Sequence, residues 1–177
     1  GTGKTYLPEI IAAGIHDADV FYKQLSKATP IDELFGATSI QGIKQEDYRR
    51  AIDGFLPTCH VAILDEIANA GAALINSLLR MMNERKYQNG RSVVDVPLIS
   101  VFGMSNDTLE GAAFRAFDSR WTFRHEVHGL SEAASFAQMI NANRTGEVPD
   151  VGQFEICVDE ILAAPSSVSL DIPKTLI

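Results

Sequence analysis

Four consecutive apolar residues followed directly by two carboxylates constrain the fold of this chain most strongly. The run from Val61 to Leu64 predicts a strand that is buried on both faces, and Asp65 and Glu66 stand where that strand must end. In a parallel sheet the carboxyl ends of the strands form the ligand crevice. We therefore expect both carboxylates to face whatever this protein binds.

The chain opens with the complementary motif. Gly1, Thr2, Gly3, Lys4 and Thr5 read as the second half of the phosphate loop G-x-x-x-x-G-K-[ST], whose first glycine would precede the sequence by three residues. In such a loop the backbone N–H groups cradle phosphate, the lysine reaches the β- and γ-phosphates and the threonine hydroxyl ligates Mg²⁺. We expect the chain to be a fragment that lacks at least one strand upstream, and expect the isolated fragment to bind nucleotide weakly and to be inactive.

The two motifs together predict a Mg-nucleotide site, which Gly-Lys-Thr alone would not. Asp65 is the candidate ligand of Mg²⁺, and Glu66 is the candidate group that polarises the attacking water. A plainer alternative is that one of these carboxylates only caps the helix that follows. Asn106, which follows another apolar strand, is a candidate for orienting the same water.

Alternating helical and strand patterns predict an α/β fold with a parallel central sheet covered by helices on both sides. The predicted helices are Gly3 to Gly14, Thr29 to Gly36, Ala70 to Glu84, and Ser131 to Asn141. In the first of them Leu7, Ile10 and Ile11 should face inward, and Pro8 should bend the helix. The second should have Thr29 as its N-cap and Pro30 as its first residue. The other predicted strands are Asp19 to Lys23, Leu98 to Met104 and Trp121 to Val127. A hairpin is expected around Asn89-Gly90, a polar excursion from the core over Gly42 to Pro57, a linker over Asn143 to Gly152, and a helical appendage after it.

Composition and charge bear on the partners. The formal charge of −8 over 177 residues disfavours nucleic acid as the main partner, although local basic loops remain possible. No apolar run approaches the roughly 20 residues of a membrane span, so a cytoplasmic protein is expected. Cys59 and Cys157 suit buried thiols in a reducing compartment, and His125 with His128 lacks the companions of a zinc site.

These residues resemble the MoxR-type AAA+ ATPases, and among them the branch typified by RavA. The resemblance runs from Gly1 to about Val127 and rests on several ordered motifs: Gly-Lys-Thr, Glu33-Leu34-Phe35-Gly36, Ser39-Ile40-Gln41, Gly54-Phe55-Leu56-Pro57, Leu64-Asp65-Glu66-Ile67, Asn83-Glu84-Arg85, Asn89-Gly90, Ser105-Asn106 and Asp118-Ser119-Arg120. Pro8 and Ser119 depart from the RavA pattern.

The resemblance implies a three-layer P-loop NTPase core over residues 1–142, with a helix-2 insert at about 42–57 and a hairpin at about 86–96. Residues 143–177 would be a linker and the truncated start of a helical lid. The resemblance makes Lys4 and Thr5 the phosphate-loop pair, Asp65 and Glu66 the Walker B acids, and Asn106 the sensor of the γ-phosphate. It gives Arg120 the role of arginine finger, with Arg124 or Arg115 as alternatives.

The resemblance further implies ATP and Mg²⁺ as cofactors, a homo-oligomeric ring that is commonly hexameric, chaperone-like remodelling and a von Willebrand A-type partner. The alternative function is a nucleotide-responsive scaffold with little turnover, and Glu66 favours hydrolysis over it. A small-molecule kinase lacks residues for an acceptor pocket, and a DNA motor is disfavoured by the acidic charge, although the insert and the hairpin could touch DNA.

Overall fold

The structure is a computed structural model that describes residues 4–44, 46–107, 112–128, 137, 140 and 156–167. The helices are α1 (Tyr6–Ala13), α2 (Asp32–Phe35), α3 (Ile40–Lys44), α4 (Ala72–Glu84), α5 (Ala112–Asp118) and α6 (Val158–Ser167). The strands are β1 (Ile15–His16), β2 (Val20–Gln24), β3 (Val61–Asp65), β4 (Lys86–Asn89), β5 (Ser92–Asp95), β6 (Ser100–Gly103) and β7 (Ile156–Cys157). Short 3₁₀ turns span Leu56–Thr58 and Ile67–Asn69.

A parallel sheet with the order β2-β3-β6 forms the centre of the described fold. The central strand β3 pairs with β2 in the register Val20↔Val61 and with β6 in the register Val61↔Ser100. Its four apolar residues, Val61 to Leu64, are all at most 1% exposed, as expected for a strand covered on both faces. The predicted parallel α/β sheet is therefore confirmed.

The two faces of this sheet have different coverings. On one face Ala62 and Leu64 pack in the larger core cluster with residues of α4 such as Leu74 and Leu78. On the other face Val61 and Ile63 pack with Ala12 of α1. The strands thus lie between helices, and their carboxyl ends meet at one edge.

The orientation of α1 differs from the sequence-based prediction. Leu7 and Ile11 are 58% and 41% exposed, whereas Pro8 and Ala12 are buried and Ile10 is half-buried. The small side chains at positions 8 and 12, four residues apart, therefore form the inner face. Leu7 and Ile11 each precede one of these residues and therefore lie roughly 100° around the helix from that face.

Pro8 does not have the expected bending role. The helix begins at Tyr6, and its first helical hydrogen bond runs from the Glu9 N–H to the Thr5 carbonyl over 3.5 Å. Pro8 therefore lies in the first turn, where backbone N–H groups have no partner within the helix. The missing N–H costs no hydrogen bond at that position.

The region of Thr29 was also predicted incorrectly. The helix α2 begins at Asp32 after Ile31, and the Thr29 hydroxyl accepts a hydrogen bond from the Ser26 N–H at 2.8 Å. Thr29 therefore closes a local turn before the helix and does not cap it. Gly36 does follow the helix end as predicted, with φ of 84°.

The segment predicted to leave the core over Gly42 to Pro57 only partly does so. Leu56 is fully buried and Pro57 is buried as well, so the end of this segment belongs to the core. The predicted hairpin forms from β4 and β5, with Gly90 at φ 61° in the turn. Its packing against this segment is tight, because the Asp47 carboxylate accepts the Arg91 N–H at 3.1 Å.

Residues Trp121 to Val127 do not form the predicted strand. The Trp121 indole lies over β6 at Gly103 and meets Phe117 edge-on, with ring centroids 5.2 Å apart. The segment thus crosses the face of the sheet at Trp121 and does not pair with its edge. Phe123 is 82% exposed and contributes nothing to the core, unlike a residue of a buried strand.

Near the end of the chain, β7 pairs with β1 in parallel, and α6 follows it directly. The predictions for Gly1 to Gly3, for the linker from Asn143 to Gly152 and for most of the helix from Ser131 to Asn141 fall outside the described residues. Within the described part of the chain, no helix is both long and apolar enough to cross a membrane.

Candidate functional site

The candidate site begins where β3 ends. The Asp65 carbonyl accepts the Leu25 N–H at 2.8 Å, and one oxygen of the Asp65 carboxylate accepts the Glu66 N–H at 2.9 Å. The Ile67 N–H then bonds to the Met104 carbonyl at 2.9 Å. The turns after β3 and β6 are thereby tied together, which fixes the backbone that carries both carboxylates.

Glu66 has a left-handed backbone conformation, with φ 55° and ψ 42°. A non-glycine residue in that region costs on the order of 1–3 kcal/mol and persists only where its surroundings hold it. The next residue, Ile67, is only 2% exposed and anchors the turn in the core. This backbone conformation turns the Glu66 side chain away from the direction of β3 and toward Asn106, which follows β6.

Lys4, Asn106 and Glu66 are joined by side-chain hydrogen bonds. The Lys4 ammonium group donates to the side-chain oxygen of Asn106 and, at 2.9 Å, to the Ser105 carbonyl. The Asn106 amide nitrogen donates in turn to Oε1 of Glu66. Three residues that the sequence predicted for one site, more than 100 positions apart at the extremes, therefore lie in direct contact.

A fourth residue at this site, Asn69, was not predicted from the sequence. The Asn69 amide nitrogen donates to Oε2 of Glu66 at 3.2 Å, so each oxygen of this carboxylate receives an amide hydrogen bond. Asn69 stands three positions after Glu66, at the end of the 3₁₀ turn Ile67–Asn69. The 3₁₀ turn that starts from the left-handed Glu66 brings the two side chains to the same side. The residue pattern did not predict that turn.

The residues predicted to hold Mg²⁺ fit a cation by their chemistry. Thr5 is half-buried at the start of α1, and Asp65 offers a carboxylate whose second oxygen takes no hydrogen bond from the described part of the chain. Among the described residues, no group of three or more His, Cys, Asp or Glu side chains is placed so that it could hold a metal ion. A two-residue set is compatible with Mg²⁺, because this ion keeps several waters and shares its coordination with phosphates.

The corner of the site around Asp65 is negatively charged. Partial burial raises the pKa of Tyr22 above its usual value, and the carboxylates of Asp65 and Glu9 raise it further.

Arg120 lies apart from these hydrogen bonds. Its guanidinium donates to the Asn83 side chain at 2.8 Å and to the Ser119 hydroxyl at 2.9 Å. Arg124 forms an ion pair with Asp118 at 3.3 Å, and Arg115 is exposed. Which of the three acts as the arginine finger therefore stays a prediction. Neighbouring side chains hold Arg120 through neutral groups, whereas Arg124 is paired with a carboxylate.

Comparison with known proteins identifies the family. A model of the family described as the MoxR domain in the MoxR-vWA-beta-propeller ternary systems matches residues 1–165. The chain belongs to this MoxR family. The predicted membership of the MoxR family is confirmed at that level. The RavA-like branch and the ATPase activity stay predictions.

Several relatives of this MoxR chain are known from their sequences. Two proteins of Methanocaldococcus jannaschii, named Uncharacterized protein MJ0079 and Uncharacterized protein MJ0812, are 40% and 39% identical over 79% and 80% of the chain. The Structural protein ORF618 of the Acidianus two-tailed virus is 33% identical over 70% of it. The chain spans 37%, 38% and 21% of the lengths of these three relatives.

A solved structure supports the fold of the MoxR chain. A protein of Cytophaga hutchinsonii, described as a candidate ATPase, superimposes with a TM-score of 0.56 over 93% of this chain and 59% of its own length, at 14% identity. Together with the parallel sheet, this likeness fits the P-loop NTPase fold that was predicted.

Proposed function

We propose that this MoxR protein binds ATP at the carboxyl edge of its sheet and hydrolyses it with Mg²⁺ as cofactor. The observation that carries the proposal is the run of hydrogen bonds from Lys4 through Asn106 to Glu66. Hydrolysis of a phosphoanhydride needs a cation for the phosphate charge, a polar group that contacts the phosphate, and a carboxylate that acts on water. Those three groups are adjacent here.

Each residue has a distinct part in the proposed reaction. Gly1 to Lys4 would cradle the phosphates, with Lys4 leaving Asn106 for the β- and γ-phosphates. Asn106 would contact the γ-phosphate and Glu66 would orient and polarise the attacking water. Mg²⁺, held by Thr5 and Asp65, would neutralise part of the phosphate charge.

The cellular role that we propose follows the family. A homo-oligomeric ring, which the resemblance implies to be a hexamer, would remodel partner proteins in the cytoplasm in a chaperone-like manner. The family description names vWA and beta-propeller components, so a von Willebrand A-type partner is the first candidate. The exposed Arg120 would complete the site of a neighbouring subunit.

A second function is favoured by one relative. The viral protein that is 33% identical to this chain carries the name of a structural protein. A nucleotide-responsive assembly scaffold with little turnover is therefore the alternative proposal. The scaffold and the ATPase would share the same nucleotide site. They differ in whether the protein, through Glu66, hydrolyses the bound nucleotide.

Steady-state ATPase activity and nucleotide affinity of the intact protein test these proposals. We expect Lys4→Ala to lose nucleotide binding, because Lys4 meets phosphate charge in the ground state. Glu66→Gln should keep binding and stop hydrolysis, because Glu66 acts on water during the chemical step. Hydrolysis by Glu66→Gln at the wild-type rate would contradict the proposed role of Glu66. Nucleotide-dependent assembly without turnover in the wild type would favour the scaffold.

A further inference from the structure

Asn69 makes a contact with Glu66 that neither the sequence motifs nor the family assignment explains. Its amide nitrogen donates to Oε2 of Glu66 at 3.2 Å, while Asn106 holds Oε1. We propose that Asn69 is the positioning residue that keeps the Glu66 carboxylate aimed at the attacking water. This inference deepens the proposed ATPase function and rests on it.

Asn69 and Glu66 are only three positions apart, and a backbone hydrogen bond supports the contact between their side chains. The Asn69 N–H also bonds to the Glu66 carbonyl at 2.9 Å, so backbone and side chain of the same residue both hold Glu66. On either side of this half-buried residue, Ile67 and Ala70 are 2% and 6% exposed. The turn is thus anchored in the core, which keeps the backbone of Asn69 beside Glu66.

The contact of Asn106 has the opposite character. Asn106 is exposed and bonded at the same time to Lys4, the side chain that must turn to phosphate when nucleotide binds. If Asn106 also contacts the γ-phosphate, its hydrogen bond to Glu66 is shared or lost. Asn69 then remains to restrain the carboxylate, with Oε1 released toward the water.

This restraint has a chemical purpose. A general base must stand within hydrogen-bond reach of the proton that it takes, and a shift of about 1 Å can cost a hundredfold in rate. A glutamate side chain has three rotatable bonds, so one oxygen fixed by a neutral donor defines where the other points. A carboxylate at position 69 would instead repel Glu66, although its shape matches that of asparagine.

The test compares variants of the intact protein at position 69. Asn69→Ala and Asn69→Asp should lower kcat by roughly tenfold to a hundredfold, with KM for ATP and the Kd of a fluorescent ATP analogue within twofold of the wild type. Asn69→Gln keeps the donor on a longer side chain and should recover part of the loss. Asn76→Asp, on the exposed face of α4, adds the same charge elsewhere and should keep the wild-type kcat.

Two results would overturn the inference while leaving the proposed ATPase intact. One is a wild-type kcat in Asn69→Ala, and the other is an equal loss of kcat, affinity and melting temperature in all three variants, which would indicate a structural role. A crystal structure of the intact protein with Mg²⁺ and a non-hydrolysable ATP analogue gives a readout without turnover. We expect the Asn69 amide to remain in hydrogen-bond contact with Glu66, and a Glu66 carboxylate turned away from Asn69 would refute the positioning role even if the wild type proved inactive.

Discussion

The side chain of Asn89 forms hydrogen bonds with both backbone polar groups of Arg50. Its oxygen accepts the Arg50 N–H at 2.6 Å, and its amide nitrogen donates to the Arg50 carbonyl at 3.1 Å. Asn89 is only 7% exposed, so the pair is shielded from water. The amide thus acts as one more strand partner and fastens the β4–β5 hairpin to the segment before the Leu56–Thr58 turn.

This contact predicts a stability effect at position 89. Asn89→Asp keeps the acceptor but sets a carboxylate against the Arg50 carbonyl, which should lower the free energy of unfolding by about 1–3 kcal/mol. Urea denaturation followed by circular dichroism measures it. Asn76→Asp on the exposed face of α4 is the matched control and should change stability by less than about 0.5 kcal/mol. Equal stability of the two variants would show that the Asn89 contact contributes nothing.

Gly36 and Gly54 allow a second test, because they share a positive φ but differ in their surroundings. Their φ values are 84° and 78°, yet a Cβ at Gly36 would lie 1.9 Å from the Ala51 carbonyl oxygen. Apart from its chain neighbours, no residue that the structure describes lies within 4 Å of a Cβ at Gly54. Gly54→Ala should cost about 1–2 kcal/mol of unfolding free energy from backbone conformation alone. Gly36→Ala should cost clearly more in the same urea titrations, and a smaller loss than in Gly54→Ala would contradict the packing described here.

The core thiol of Cys59 leads to a prediction about reactivity. Burial raises the pKa of Cys59 to about 12, and its Sγ donates to the Leu56 carbonyl at 3.2 Å. With a pKa so far above pH 8, only on the order of 10⁻⁴ of this thiol is thiolate, the reactive form. Iodoacetamide labelling at pH 8, followed by mass spectrometry, should modify half-buried Cys157 much faster than Cys59. The two rates should converge in denaturant, and similar rates in the folded protein would refute the burial of Cys59.

The sequence predicted those features of the site that depend on one rule, which is that parallel strands of a sheet end at the same edge. Val61 to Leu64 is a long apolar run, so β3 and the position of Asp65 and Glu66 at its end could be predicted. Asn106 followed from the same rule, because parallel strands end at one edge. Contacts between residues about a hundred positions apart could be predicted in this way, because the sheet topology alone brings the strand ends together.

Other features depend on local geometry or on competition for the core. Asn69 was missed because its contact lies across a 3₁₀ turn that starts from a left-handed Glu66, and no residue type at these positions predicts that turn. Leu7 and Ile11 were placed inward by hydrophobicity, although Pro8 and Ala12 allow the closer approach to the sheet. Trp121 to Val127 was predicted as a strand, but only Trp121 of this segment packs against β6, and the residues after it are exposed. In each case tertiary packing overrode a pattern that was locally valid.

The last prediction concerns Arg120, which we expect to act in the site of a neighbouring subunit. Its guanidinium is exposed, and the Asn83 side chain and the Ser119 hydroxyl hold it. Ser119 in turn donates to the Ala116 carbonyl at 2.8 Å, so the residue that departs from the RavA pattern helps to orient the arginine. An arginine supplied in trans to a phosphoryl-transfer site is worth on the order of 10³ to 10⁵ in rate.

Mixing two inactive variants of the intact protein tests this arrangement. Arg120→Ala and Glu66→Gln subunits should each be inactive alone, whereas mixed rings should recover part of the ATPase activity. The recovery follows because some interfaces then join an intact Glu66 site to an intact Arg120. Arg115→Ala, in the same helix-to-turn region, is the control and should retain activity by itself. Two results would contradict the role of Arg120: no recovery in mixtures that co-assemble by light scattering, or full activity of Arg120→Ala alone. Either result would mean that the guanidinium held by Asn83 does not reach the γ-phosphate across the interface. The role would then pass to Arg124 or Arg115.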